Sequence, residues 1–360
     1  MAFTSINDGK LYFNTKLHTG DGGGSGSSTG IGFQPNMVWS KSRTEALNHT
    51  MFDSVRGAGS NKELTPNGTS AEGGANSAGF GYISAFNSDG YSWTAGSTNT
   101  ENFNKSSQTY ANWNWKAGTS FTNDASSTGI GTIDSTGSAN DTAGFSICSY
   151  TGTGSNGTVK HGLNSAPKMI IVKSLGAAES WFVYHADLTS ATYTINLDTT
   201  GAQFSNASTW NSTAPSSSVF SIGTDAGTNG SSVNFIAYCF ADVQGYLKCG
   251  SYTGNGNADG PFVHTGFKPS FVLGKRTDGA GGWWILDSKR PGFNLTNEYL
   301  LANDAQAEAS DGSFASDFLA NGWKARATNG NFNASGGTYI YMAFSENPFT
   351  SSAGTPVTAR

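Results

Sequence analysis

A proline followed six residues later by a lysine, across a run of apolar residues, occurs three times in this chain: Pro35 to Lys41, Pro167 to Lys173 and Pro269 to Lys275. An internal repeat of this kind constrains the fold more than any single motif, because each copy must solve the same packing problem. Its surroundings recur as well. Tyr-Thr-Gly stands upstream at Tyr150–Gly152 and Tyr252–Gly254, with a looser relative at His18–Gly20. Trp181 and Trp283 each lie eight residues after their lysine, and His49 holds that place in the first copy. Each unit closes on an aromatic run, at 110–115, 234–240 and 338–344.

The prolines are 132 and then 102 residues apart, and the excess falls in a Ser/Thr/Gly/Asp/Asn stretch. This predicts a first repeat over 1–118, a linker over 119–143, a second repeat over 144–243, a third over 244–350 and a tail over 351–360. Within a unit, apolar runs alternate with Gly/Asn/Asp/Ser punctuation, the pattern of short strands and turns. Asp89-Gly90 and Asn321-Gly322 suit tight hairpins. The expectation is an all-β chain of tandem antiparallel β-sandwich repeats, lectin-like or jelly-roll-like, strung as a semi-rigid rod or arc. One stretch, Glu298–Glu308, reads as helix.

Charged residues make up 12% of the 360, with a net charge of −5, where about 25% is usual. So few cations in an acidic chain exclude a phosphate-neutralising nucleic-acid binder. No run approaches the ~18 apolar residues of a membrane span, and the N-terminus lacks the basic and apolar regions of a signal peptide. Cys148, Cys239 and Cys249 form no C-x-x-C pair and read as small buried hydrophobes made in a reducing cytoplasm.

The segments GFQPNMVWSKSR (32–43), FDSVRG (52–57), STAPSSSVFSIG (212–223), AYCFADVQGY (237–246) and TYIYMAFSENPF (338–349) resemble a repeat family of tailed-bacteriophage virion proteins. So does GSYTGNGNADGPFVHTGFKPSFVLGKRTD, which begins at Gly250. That family is common in marine and environmental phages and is associated with tail-fibre-like or appendage proteins bearing lectin-like β-sandwiches. The resemblance runs from Tyr12 to Phe349. It implies a structural virion protein that reaches the particle by host lysis without a signal peptide. Its partners would be other virion proteins and its own copies, as a trimer or hexamer. A bacterial surface polysaccharide is the implied ligand. A capsid decoration or head-fibre protein is the alternative, and a polysaccharide depolymerase the second.

The candidate site is a charged set shared by the first and third copies: Lys41, Arg43, Asp53, Arg56 and Glu72, against Lys275, Arg276, Asp287, Arg290 and Glu308. Arginine forks in a polar groove would grip a glycan or a partner's carboxylates; an ion pair pinning a strand end is the competing reading. The neighbouring arginines would hold these acids ionised, which spoils a general acid for glycoside hydrolysis; no catalytic residue is assigned. Strand alternation places one ring of Trp283-Trp284 on the outer face as a stacking platform. Gly26–Gly30 matches G-x-S-x-G without the strand and helix of a nucleophile elbow, and reads as a glycine-rich loop. Asn255–Gly260 mimics half a calcium loop, but its twelfth position is Gly266. The five histidines show no metal-ligand spacing, so neither a metal nor a cofactor is expected.

Overall fold

The computed structural model describes residues 4 and 6–345. The chain is all-β, and its helices among those residues are short turns such as Ala226–Asn229 and Gly330–Asn333. Three sheets share one strand order. In the first, the opening strand Phe13–Thr19 pairs with the closing strand Thr109–Trp115. That strand pairs with the proline strand Met37–Ser42, which pairs with the return strand Thr50–Asp53. The second repeats this order with Phe145–Thr151, Asn234–Phe240, Met169–Ser174 and Phe182–His185. The third uses Leu247–Thr253, Thr338–Ser345, Pro269–Arg276 and Trp284–Asp287. All pairs are antiparallel. Register makes the copies equivalent: Met37 faces Trp115, Met169 faces Phe240 and Phe271 faces Phe344. Each proline stands two residues before these positions.

A smaller sheet covers the outer face of each large one. It comprises Gly26–Thr29, Gly90–Thr94 and Tyr82–Asn87 in the first repeat, and Gly157–Lys160 with Val219–Ile222 in the second. In the third it comprises Phe262–His264, Gly322–Ala325 and Ser316–Leu319. Asp89-Gly90 and Asn321-Gly322 do sit at two-residue hairpins. The glycines are required there. A Cβ on Gly90 would lie 1.8 Å from the Ser28 carbonyl, and one on Gly322 2.1 Å from that of Val263. Gly26–Thr29 is thus an edge strand, where a loop was expected.

The inner faces of all three large sheets meet in one core. Phe13, Trp113 and Trp115 from the first repeat pack with Ile147, Tyr238 and Phe240 from the second and Phe271, Met342 and Phe344 from the third. Phe13 stacks on Phe344 at 4.9 Å and lies 5.3 Å from Phe271. Three outer cores, one per sandwich, surround this shared one. The repeats therefore form a closed, pseudo-three-fold block, and the expected rod or arc is corrected. Apolar faces on both sides of each large sheet cannot all be covered in a linear array, whereas a ring buries them together.

Two local expectations are also corrected. The 119–143 segment is no linker: Thr119–Asn123 and Ser135–Asn140 pair with each other and extend the second sheet beside Phe145–Thr151. Its Ser/Thr/Gly composition fits an edge hairpin whose outer positions face water. Glu298–Glu308 is not helical. Leu300–Leu301 extends the third sheet, Tyr299 bridges Ala309, and Leu300 enters the shared core. Tertiary pairing overrides helix propensity there. The tail 351–360 and the end of the third repeat, 346–350, lie outside the described residues.

Because one core serves three repeats, calorimetry should show a single cooperative unfolding transition. Separable transitions, or an excised 244–345 fragment that folds alone, would contradict the shared core.

Candidate functional site

The predicted charged residues gather at the seams between repeats. Asp53 ends a return strand, and its Oδ1 accepts the backbone N–H groups of Val55 and Arg56. Its Oδ2 accepts Arg56 Nε at 2.6 Å and the Tyr238 hydroxyl of the second repeat at 2.8 Å. Asp287 repeats this pattern. Oδ1 takes the Lys289 and Arg290 N–H groups, and Oδ2 takes Arg290 Nε at 2.6 Å and Trp113 Nε1 of the first repeat at 3.1 Å. His185 occupies the matching position in the second repeat. Its Nδ1 accepts the Asp187 N–H and its Nε2 donates to the Tyr341 carbonyl of the third repeat. Each closing strand thus meets the return strand of the preceding repeat, and the ring closes.

The remaining members reinforce the same seams. Glu308 receives a forked contact from Arg43, at 2.6 Å to Arg43 Nη2, and another from Arg290 Nη1 at 2.9 Å. Glu72 takes Arg56 Nη1 at 3.0 Å and Lys62 Nζ at 3.3 Å. Their backbones cross the seams: Glu72 N–H donates to Leu175, Gln203 to Thr277 and Glu308 to Arg43. The Arg56 and Arg290 side chains are buried, and their carboxylate partners raise both guanidinium pKa values despite the opposing effect of desolvation.

Each proline-strand lysine is buried and bonded to backbone carbonyls. Lys173 Nζ donates to Thr69 of the first repeat and to Glu179; Lys275 Nζ donates to Thr200 of the second and to Gly281. Lys41 turns to its own loop, at Ser42 and Glu45. Desolvation pushes Lys41 and Lys173 down to about 8 and Lys275 to about 7. Eight residues on, the aromatic anchors cross too: Trp181 Nε1 donates to Thr65, Trp283 Nε1 to Asn196 and His49 Nε2 to Leu301.

These placements correct the expected groove. Asp53, Asp287 and Arg290 are buried in the ring, and both oxygens of each aspartate are engaged. Arg276 is pinned outside a seam, by Asp278 at 2.8 Å, and Lys41 by the carbonyls of its own loop. The exposed indole is also overturned: Trp283 is 1% and Trp284 0% exposed. Alternation does send them to opposite faces, but both faces are cores, Trp283 entering the shared one and Trp284 the third sandwich. Among the described residues no cluster of His, Cys, Asp and Glu could hold a metal. The Asn255 loop is instead clamped by Asn333, whose Oδ1 accepts Asn255 N–H. That clamp recurs and was missed. Asn104 receives Asp21 N–H and Asn229 receives Thr153 N–H in the same way. Its signal is an Asn six residues before the first aromatic of each closing run, at Tyr110, Phe235 and Tyr339.

Residues 8–348 match the family described as "Domain of unknown function (DUF7483)", and the chain belongs to that family. No curated protein matches it.

Replacing Asp287 by Asn should lower stability by about 3 kcal/mol, because buried Arg290 loses a charge partner; urea unfolding measures it, and an unchanged midpoint would refute the seam role. A second expectation concerns acid. His49, His161 and His185 accept an N–H at Nδ1 and donate from Nε2, the neutral form. Burial lowers all three, His161 to about 4 and His49 well below its ordinary value. Unfolded histidines bind protons below about pH 6.5, so stability is present above that pH and lost on descent towards pH 4. The loss at pH 5 should be about 1–2 kcal/mol per histidine. A urea midpoint that holds steady from pH 7 to 5 would contradict this.

Proposed function

We propose that this chain is a structural, non-enzymatic protein of a tailed-phage virion, a tail-fibre or appendage component that contacts host-surface polysaccharide. The motif resemblance from Tyr12 to Phe349 supports the virion setting. The observation that carries the structural reading is the closed ring of seams, in which Asp53, Asp287, Arg56, Arg290, Glu72 and Glu308 are bonded to one another or to the neighbouring repeat. Acids locked in that way stiffen a block and are unsuited to proton transfer in a depolymerase. A rigid unit with internal three-fold character suits a three-fold or six-fold position on a particle, attached to other virion proteins and to its own copies.

Quantitative mass spectrometry of purified virions tests the assignment. Copy numbers in multiples of three or six are expected for a tail appendage. Hundreds per particle would move the protein to the capsid surface. Complete and infectious particles made without the protein, together with a stable recombinant monomer, would sink the reading.

A further inference from the structure

Among the described residues the hairpin Thr119–Asn123/Ser135–Asn140 belongs to the second repeat alone, since the first and third sheets begin at their opening strands. It walls a cleft of about 440 Å³ with the end of the strand Gly157–Lys160. A similar crevice of about 480 Å³ recurs in the third repeat, where Asp242, Val243, Gln244 and His264 take the places of Asn140, Asp141, Thr142 and Gly162. The repeat fold makes the crevice; the hairpin specialises it.

The specialised lining has a defined chemistry. The Phe121 ring is seated on two glycines, for a Cβ on Gly137 would lie 2.8 Å from it and one on Gly162 2.5 Å. Lys160 Nζ stands 5.8 Å over the ring. Asp141 is held at the other side by Asn164, through its N–H and its Nδ2, both at 2.6 Å. Thr119, Ser120 and Asn140 complete the wall with hydroxyl and amide groups.

We propose that this cleft binds one uncharged hexose residue of a polysaccharide. A flat ring in a fixed seat packs against the C–H face of a sugar. One cation and one anion flank it, so the cleft has no net charge to select an ionised ligand. Lys160 and Asn140 offer donors, and Asp141 and Asn140 offer acceptors, which together match neighbouring hydroxyls that need both. The volume falls within the ~300–1,000 Å³ range of small-molecule clefts. Placement on an inserted hairpin leaves the ring of seams untouched, as expected of function added to a scaffold. The proposal deepens the polysaccharide-contact reading and rests on it for the source of the sugar.

Saturation-transfer NMR on the full-length protein, with the methyl glycosides of glucose, galactose and mannose and with glucuronate, tests it. At least one neutral hexoside should bind, and Phe121→Ala and Lys160→Gln should each weaken it by about tenfold. Lys160→Gln is a surface change, so it keeps the test open if the Phe121 variant misfolds. Lys248→Gln, in the third repeat's crevice, should leave binding unchanged. The proposal is overturned if no hexoside binds, if Lys160→Gln binds as the wild type does, if Lys248→Gln abolishes binding, or if glucuronate binds best. Virion copy number is measured independently, so a chain found on particles without hexose binding would refute the cleft and leave the virion reading standing.

Discussion

Three contacts near the pseudo-three-fold axis decide which repeat can stand beside which. At the equivalent positions Trp113, Tyr238 and Met342, two side chains carry a hydrogen-bond donor and one does not. The facing residues follow suit. Trp113 and Tyr238 meet the aspartates Asp287 and Asp53, whereas Met342 belongs to the strand whose carbonyl accepts from His185. An aspartate opposite Met342 would face an apolar side chain with a buried charge, a costly arrangement. A neutral histidine fills the site because its Nδ1 accepts the same turn N–H that an aspartate would, while its Nε2 brings the donor that methionine lacks. The shared core is the largest single apolar cluster; these contacts fix the order in which repeats enter it.

That logic explains what the sequence disclosed and what it hid. The Pro-to-Lys interval was legible because it reports local geometry: the proline stands at or just before the start of a strand and the lysine one residue from its end, whatever that strand packs against. The Asp-Ser-x-Arg motif was legible as a repeated turn with an ion pair, but its partners Tyr238 and Trp113 lie 185 and 174 residues away. Sequence spacing carries no trace of such pairings. The Trp283-Trp284 error has the same origin. Alternation tells which side of a sheet a residue takes, not whether that side meets water, and here neither does.

The 119–143 segment misled through composition. Ser, Thr and Gly mark flexible connections, yet they also suit an edge hairpin in which every second residue is solvated and glycine lets a neighbouring ring approach. Gly137 under Phe121 is such a case. The missed Asn clamp shows the opposite failure. Asn104, Asn229 and Asn333 sit in turns where asparagine is common, so only their constant distance from the closing strand separated them from ordinary turn residues.

A ring of repeats divides the molecule into parts with different freedom to change. Seam residues contact two repeats at once, so a substitution at Asp53 or Trp113 must be answered by one in another repeat, as Met342 is by His185. The specialised cleft is instead walled by the hairpin and by the end of the strand Gly157–Lys160. The hairpin Thr119–Asn123/Ser135–Asn140 extends a sheet edge that the other two repeats, among the described residues, leave unpaired, adding backbone pairs without displacing any seam contact. It also covers an edge that would otherwise invite pairing with another chain. The second repeat could therefore acquire a specialised cleft while its Lys173, Trp181 and Gln203 kept the same cross-seam bonds as Lys275, Trp283 and Glu308 in the third.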